Sequence, residues 1–148
     1  MSTDFGHLLK DSSEEMVKIL DSLQKSHSVF SEIGSLLRDT VSNGNTVFFC
    51  GNGGSAAESS HLSTELIGRF RSNRRPLPAI SLNADSVAMS CIANDFGYEN
   101  TFSRQFEALY KDGDLLFVLS TSGESPNITS VLDVATRIGA PTIALLGK

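Results

Sequence analysis

The stretch FFCGNGGSAAESSHLSTELIGRF, residues 48–70, decides how the chain folds. It starts as an apolar run without polar alternation, passes through Asn52, Gly53 and Gly54, and continues as an amphipathic segment carrying His61 and Glu65. A strand that is apolar on both faces and turns tightly into a helix is the first half of a βαβ unit. The succession recurs downstream. TVFFC (46–50), PAISL (78–82), DLLFVLS (114–120) and TIALL (142–146) read as strands, with helices expected at about 55–70, 85–93, 100–110 and 125–138. The last helix is the best marked: Ile128, Val131, Leu132, Ala135 and Ile138 share one face, Pro126 suits its first turn and Gly139 its stop. The fold class that follows is α/β, a parallel sheet covered by helices on both faces.

Upstream, Leu8, Leu9, Met16, Leu20 and Leu23 recur at helical spacing, and Phe30, Ile33, Leu36, Leu37 and Val41 do so again. The organisation expected is an N-terminal helical segment over 1–43 and an α/β domain over 44–148. TIALLGK ends on a strand and leaves a sheet edge or face uncovered, so the sequence reads as a fragment.

A chain of 148 residues that is 40% apolar can build one core, and the expectation is a single soluble unit. No run reaches the roughly 20 apolar residues of a membrane span, and MSTDFGHLLKDSSEE lacks the basic start and apolar core of a signal peptide, which points to the cytoplasm. A net charge of −5 argues against a nucleic-acid surface. RFRSNRR (69–75) gathers four arginines, a pattern better suited to a small anion or a subunit contact. Cys50 and Cys91 lie too far apart for a CxxC motif and read as buried thiols.

Two loops stand where open parallel sheets bind ligands, between a strand end and a helix start. In CGNGGSAAE, Ser55 and Glu58 have capping-box spacing, which places the helix start at Ser55 and the turn at Asn52, Gly53 and Gly54. The turn is neither a Walker A nor a GxGxxG sequence, and it reads equally as an ordinary tight turn or as one a ligand approaches closely. In STSGESPN, Ser120, Thr121, Ser122 and Ser125 set four hydroxyls before a helix N-terminus, a donor set suited to a phosphate monoester without a lysine. The plainer alternative is that Ser125 caps the helix and the others satisfy a turn.

On the first crossover helix, Glu58, His61, Glu65 and Arg69 fall in one sector and Leu62, Leu66 and Phe70 in the next. His61 and Glu65, four residues apart, suit one metal ion or a base and its orienting partner, while Glu65 and Arg69 suit a routine surface ion pair. Asn94 and Asp95 precede Gly97 at a helix end, where a C-cap is the simple reading.

Together, CGNGGSAAESSHLSTELIGRF, RRPLPAISLN, IANDFGYENTFSRQFEAL and DLLFVLSTSGESPN resemble the phosphoheptose isomerases, a family of the sugar isomerase (SIS) domain superfamily, from about residue 45 to Lys148. The resemblance implies a Rossmann-like three-layer sandwich, a homotetramer with sites at subunit interfaces, and interconversion of sedoheptulose 7-phosphate with glycero-manno-heptose 7-phosphate at the start of nucleotide-activated heptose synthesis, commonly for lipopolysaccharide. It implies that Asn52, Gly53, Gly54, Asn94 and Asp95 contact the sugar and that Ser120, Thr121, Ser122 and Ser125, helped by Ser55, hold the phosphate. It also implies that His61 and Glu65 ligate zinc, that Glu65 contacts the substrate and moves the proton, and that Arg69 assists. The family's other two zinc ligands, a glutamine and a histidine that is also its second acid/base group, lie on a C-terminal helix that these residues do not contain. His7 and His27 match neither role. The expectation is therefore that two ligands lie beyond Lys148 and that these 148 residues alone are inactive or poorly folded. The competing readings are a non-catalytic SIS protein, such as the relative that binds a bacterial replication initiator, and a sugar-phosphate-sensing regulator. The first lacks the helix carboxylate and carries an arginine in the STSG loop, where this chain has Glu65 and Ser122; the second needs only the hydroxyl loop.

Overall fold

A computed structural model describes residues 5–147. Helices α1 (Phe5–Lys25) and α2 (His27–Ser42) lead into β1 (Val47–Gly51), α3 (Gly54–Ile67), β2 (Ala79–Ser81) and α4 (Ser86–Phe96). A short 3₁₀ turn (Tyr98–Asn100), α5 (Thr101–Leu109), β3 (Leu115–Ser120), α6 (Pro126–Ile138) and β4 (Thr142–Leu146) complete it. The chain divides inside α2, between Leu36 and Leu37, into two compact units. In the first unit α1 buries no residue, and Phe5, Leu8, Leu9, Met16, Leu20 and Leu23 are exposed.

In the second unit the four strands form one parallel sheet in the order β2-β1-β3-β4. The α/β expectation is borne out, strand by strand. Because β1 and β3 are both buried on two faces, their apolar runs show no alternation. Phe48, Cys50, Leu116 and Val118 pack on Phe102 and Phe106 of α5 and Ile128, Val131 and Ala135 of α6, with Phe48 and Phe106 edge to face at 5.4 Å. Phe49 and Phe117 meet on the opposite face at 5.3 Å. At the β4 edge only Ile143 is buried, while Leu145 and Leu146 are exposed.

Several local expectations are corrected. Helix α3 begins at Gly54, after Gly53 with φ 56°, and no side chain caps it; Ser55 lies inside the first turn, so the Ser55/Glu58 capping box does not form. Its buried stripe is Ser59 and Ser63, while Leu62 and Leu66 are only half-buried and Phe70 is exposed. The cause is close approach: a Cβ on Gly51 would stand 2.6 Å from the Ser55 Cβ and 2.8 Å from the Leu119 oxygen, so only small side chains fit between α3 and β1. Helix α3 also stops at Ile67, three residues early, because the Arg74 guanidinium donates to the Glu65 and Leu66 carbonyls at 2.5 and 2.8 Å and closes its C-terminus. Arg69 therefore lies beyond the helix and donates to Asn73 at 2.8 Å, so no Glu65–Arg69 pair forms.

The other arginines of that loop are spent locally, Arg75 on the Val41 carbonyl at 3.2 Å and Arg71 over the Phe70 ring. Helix α4 runs on to Phe96. Asp85 caps its start by accepting from the N–H groups of Val87 and Ala88, and Gly97 with φ 88° ends it, so Asn94 and Asp95 belong to its last turn. Cys50 is buried as expected, and burial pushes its thiol up to about 12; Cys91, on α4, is exposed instead.

Candidate active site

The chain leaves β1 toward β2 on one side and β3 toward β4 on the other, which places the topological switch point between β1 and β3. Open parallel sheets bind ligands in the crevice at the carboxyl ends of such strands. Both candidate loops emerge there.

After β1, the turn is tied by Ser55 N–H to Asn52 O at 3.0 Å and by the N–H groups of Ala56 and Ala57 to Gly53 O at 3.1 and 3.3 Å. Gly53 and Gly54 carry the turn's remaining donors at the positive end of α3. Asn83, from the end of β2, holds Gly51 like one more ladder rung: its amide nitrogen donates to Gly51 O at 2.9 Å and its oxygen accepts from Gly51 N–H at 3.3 Å. After β3, Ser120 Oγ accepts from Gly123 N–H at 3.0 Å and Ser122 Oγ from Glu124 N–H at 3.3 Å. Each hydroxyl keeps its own proton to donate. Ser125 holds the N-cap position of α6, yet its side chain makes no capping bond. The plain capping role is thus not the one Ser125 fills, and its hydroxyl is left for another partner. Thr121 is exposed, and a depression of about 260 Å³ beside it is lined by Ser122, Gly123, Glu124 and Leu146.

Asn127 and Tyr98, which the sequence reading did not single out, tie these loops together through Asn52. Asn52 and Asn127 exchange reciprocal hydrogen bonds, each 2.8 Å, and Tyr98 Oη donates to Asn52 Oδ1 at 3.2 Å. Asn127 follows the α6 proline directly, a place where sequence spacing gives no sign of a partner 75 residues away. Tyr98 brings the end of α4 over the same crevice. Asn94 and Asp95 are exposed one turn earlier and joined by a 2.7 Å bond from the Asn94 amide to Asp95 Oδ1.

His61 and Glu65 do come together on α3, with Nε2 and Oε1 3.8 Å apart. Glu65 Oε2 is buried without a hydrogen-bond partner, an arrangement that costs free energy until a proton donor or cation meets it. An imidazole nitrogen and a carboxylate suit zinc, and these two supply two of its four positions; no cluster of three or more His, Cys, Asp or Glu occurs among the described residues. The structure does not bring this pair to the loops of its own chain. A crossover helix starts at the strand ends and runs back along the sheet, so Glu65 lies about 16 Å along the α3 axis from Gly54.

A family model described as "SIS domain" matches residues 13–147. A phosphoheptose isomerase of Campylobacter concisus is 44% identical over 140 residues, covering 88% of this chain and 74% of that one. One of Geotalea daltonii is 46% identical over 132 residues, covering 88% and 69%. Among solved structures, phosphoheptose isomerases from Francisella tularensis and Neisseria gonorrhoeae superpose with TM-scores of 0.81 and 0.75 at 30% identity, covering 95% and 94% of this chain and 75% and 74% of theirs.

Proposed function

The chain belongs to the SIS domain family and, within it, to the phosphoheptose isomerases, and from that premise we propose that it interconverts sedoheptulose 7-phosphate and glycero-manno-heptose 7-phosphate. The observation that carries the reading is the Ser120–Ser125 loop at the β1/β3 switch point, where the Ser125 hydroxyl makes no capping bond at the positive end of α6, an arrangement that supports an anion site. Phosphate held there by Ser120, Thr121, Ser122 and Ser125 leaves the sugar to the Asn52–Gly54 turn, Ser55, Asn94 and Asp95.

The chemistry is the movement of a proton between C1 and C2 through an enediol. Glu65 takes the proton from one carbon and returns it to the other. Its Oε2 has no hydrogen-bond partner within the chain, which leaves that oxygen open to the substrate. Donors aimed at the carbonyl oxygen are needed to hold the charge that develops on it. We assign His61 and Glu65 to a zinc ion, which when bound supplies Lewis-acid polarisation of the sugar oxygens.

The separation of Glu65 from the loops of its own chain supports a site completed by a second copy, as in a homotetramer. The exposed apolar residues of α1 support the same assembly. No helix among the described residues is long and apolar enough to cross a membrane, and we place the enzyme in the cytoplasm at the entry to heptose synthesis for surface lipopolysaccharide.

Glu65→Gln tests the assignment. Turnover should fall by about 10²–10⁴ while inorganic phosphate still binds, because the anion loop is untouched. Undiminished turnover in Glu65→Gln would remove Glu65 from the reaction.

A further inference from the structure

Asn127 is 1% exposed, and its amide serves no strand or helix. Its whole partnership is with Asn52, 75 residues earlier, through two bonds of 2.8 Å. Asn52 Oδ1 accepts from both Asn127 Nδ2 and Tyr98 Oη, which fills its two lone pairs, and Asn52 Nδ2 spends one of its two protons on Asn127. The Asn52 side chain therefore has a single N–H left to offer a ligand. Its neighbours in the network are informative by position. Asn127 opens α6 two residues after Ser125, Asn52 opens the Gly53–Gly54 turn, and Tyr98 follows the Asn94–Asp95 turn of α4. Three segments that the proposed function sets against the substrate converge on one amide.

We propose that Asn127 and Tyr98 are positioning residues, which lock Asn52 and the Gly53–Gly54 turn to the hydroxyl loop so that an anion bound by Ser120–Ser125 also orders the turn that holds the sugar. In this arrangement Asn52 acts mainly through the lock, and the sugar is met by the backbone of Gly53 and Gly54. A reciprocal amide pair with one member buried suits the task. Asn52 cannot move away without stranding the buried Asn127 amide, so the two loops shift together. The inference rests on the sugar-phosphate reading above.

The test is amide hydrogen exchange on the full chain with and without inorganic phosphate, in wild type and in Asn127→Leu. The proposal expects phosphate to slow exchange over both 120–127 and 52–57 in wild type, and over 120–127 alone in the variant. Kinetically, Asn127→Leu should lower kcat by about a hundredfold, the scale of a misplaced reacting group, with KM changed less than about threefold. A side chain that only stabilised the fold would leave the pattern of phosphate protection unchanged.

Protection of both segments in the variant, or of 120–127 alone in wild type, would overturn the lock. Absence of any phosphate effect in wild type would overturn the anion site itself, and the lock with it. If Asn127→Leu does not fold, Asn127→Asp keeps the volume and one acceptor, and Tyr98→Phe removes the third bond at an exposed ring. The same loss of protection at 52–57 is expected in each, and its retention in both would refute the proposal.

Discussion

Adding one methyl group at Gly51 tests the seat of the whole site. A Cβ there would stand 2.6 Å from Ser55 Cβ, 2.8 Å from the Ser55 carbonyl carbon and 2.8 Å from Leu119 O. Two of these are backbone atoms, so no rotamer change relieves the contact. To reach even 3.4 Å, the first turn of α3 must retreat from β1 by about 0.8 Å. Overpacking of a close-packed core costs about 1–3 kcal/mol, and a backbone obstruction belongs at the upper end. With a urea m-value of about 2 kcal/mol per molar, a loss of about 3 kcal/mol lowers the unfolding midpoint by about 1.5 M. The retreat also moves Gly53 and Gly54 by nearly 1 Å relative to the hydroxyl loop, enough to cost about a hundredfold in kcat/KM. Gly34→Ala is the control: nothing lies within 4 Å of its added Cβ, and it should stabilise α2 by about 0.5–1 kcal/mol. Urea unfolding followed by circular dichroism reads the first effect, and isomerisation by the enzyme as its own cells make it reads the second. An unchanged midpoint in Gly51→Ala would refute the close seating of α3 on β1.

Other outcomes follow from single contacts. Asp85→Ala removes two capping bonds at the start of α4 and should cost about 1 kcal/mol, with Asp85→Asn recovering most of it in thermal unfolding. A thiol reagent at pH 8 should label Cys91 in the native protein and reach Cys50 only after unfolding, as peptide mass mapping would show. Burial favours the neutral Cys50 thiol, raising its pKa from 9.0 to about 12 in the folded state. Its contribution to stability is complete below pH 9 and is lost as pH rises toward 12, so a Cys50→Ala variant should show a shallower alkaline decline than wild type.

The strands were legible because β1 and β3 are buried on both faces, and an uninterrupted apolar run has little else to be at that length. Helix α6 was legible for a different reason: Pro126, the apolar face and Gly139 are local features that agree. What sequence did not reveal depends on contacts across the fold. On helix α3 the apolar sector is Leu62, Leu66 and Phe70, yet the buried residues are Ser59 and Ser63, because the helix seats closely on β1 at Gly51 and hydrophobic periodicity cannot see that distance. Its early stop depends on Arg74, nine residues beyond Glu65. The site divides in the same way. The hydroxyl loop could be read from Ser120, Thr121, Ser122 and Ser125 in one short run, and the His61/Glu65 pair from its i,i+4 spacing. The Asn52–Asn127–Tyr98 network could not, since each amide reads locally as an ordinary turn or helix-start residue.

Sugar-phosphate isomerisation is most directly tested by adding sedoheptulose 7-phosphate to the enzyme as its own cells make it, in deuterium oxide, and following the sugar by nuclear magnetic resonance. The account predicts new anomeric signals of an aldoheptose 7-phosphate, with solvent deuterium entering at the carbon that exchanges its proton through Glu65, and neither change with Glu65→Gln. Binding of the heptose phosphate with no aldose formed and no deuterium incorporated would contradict it.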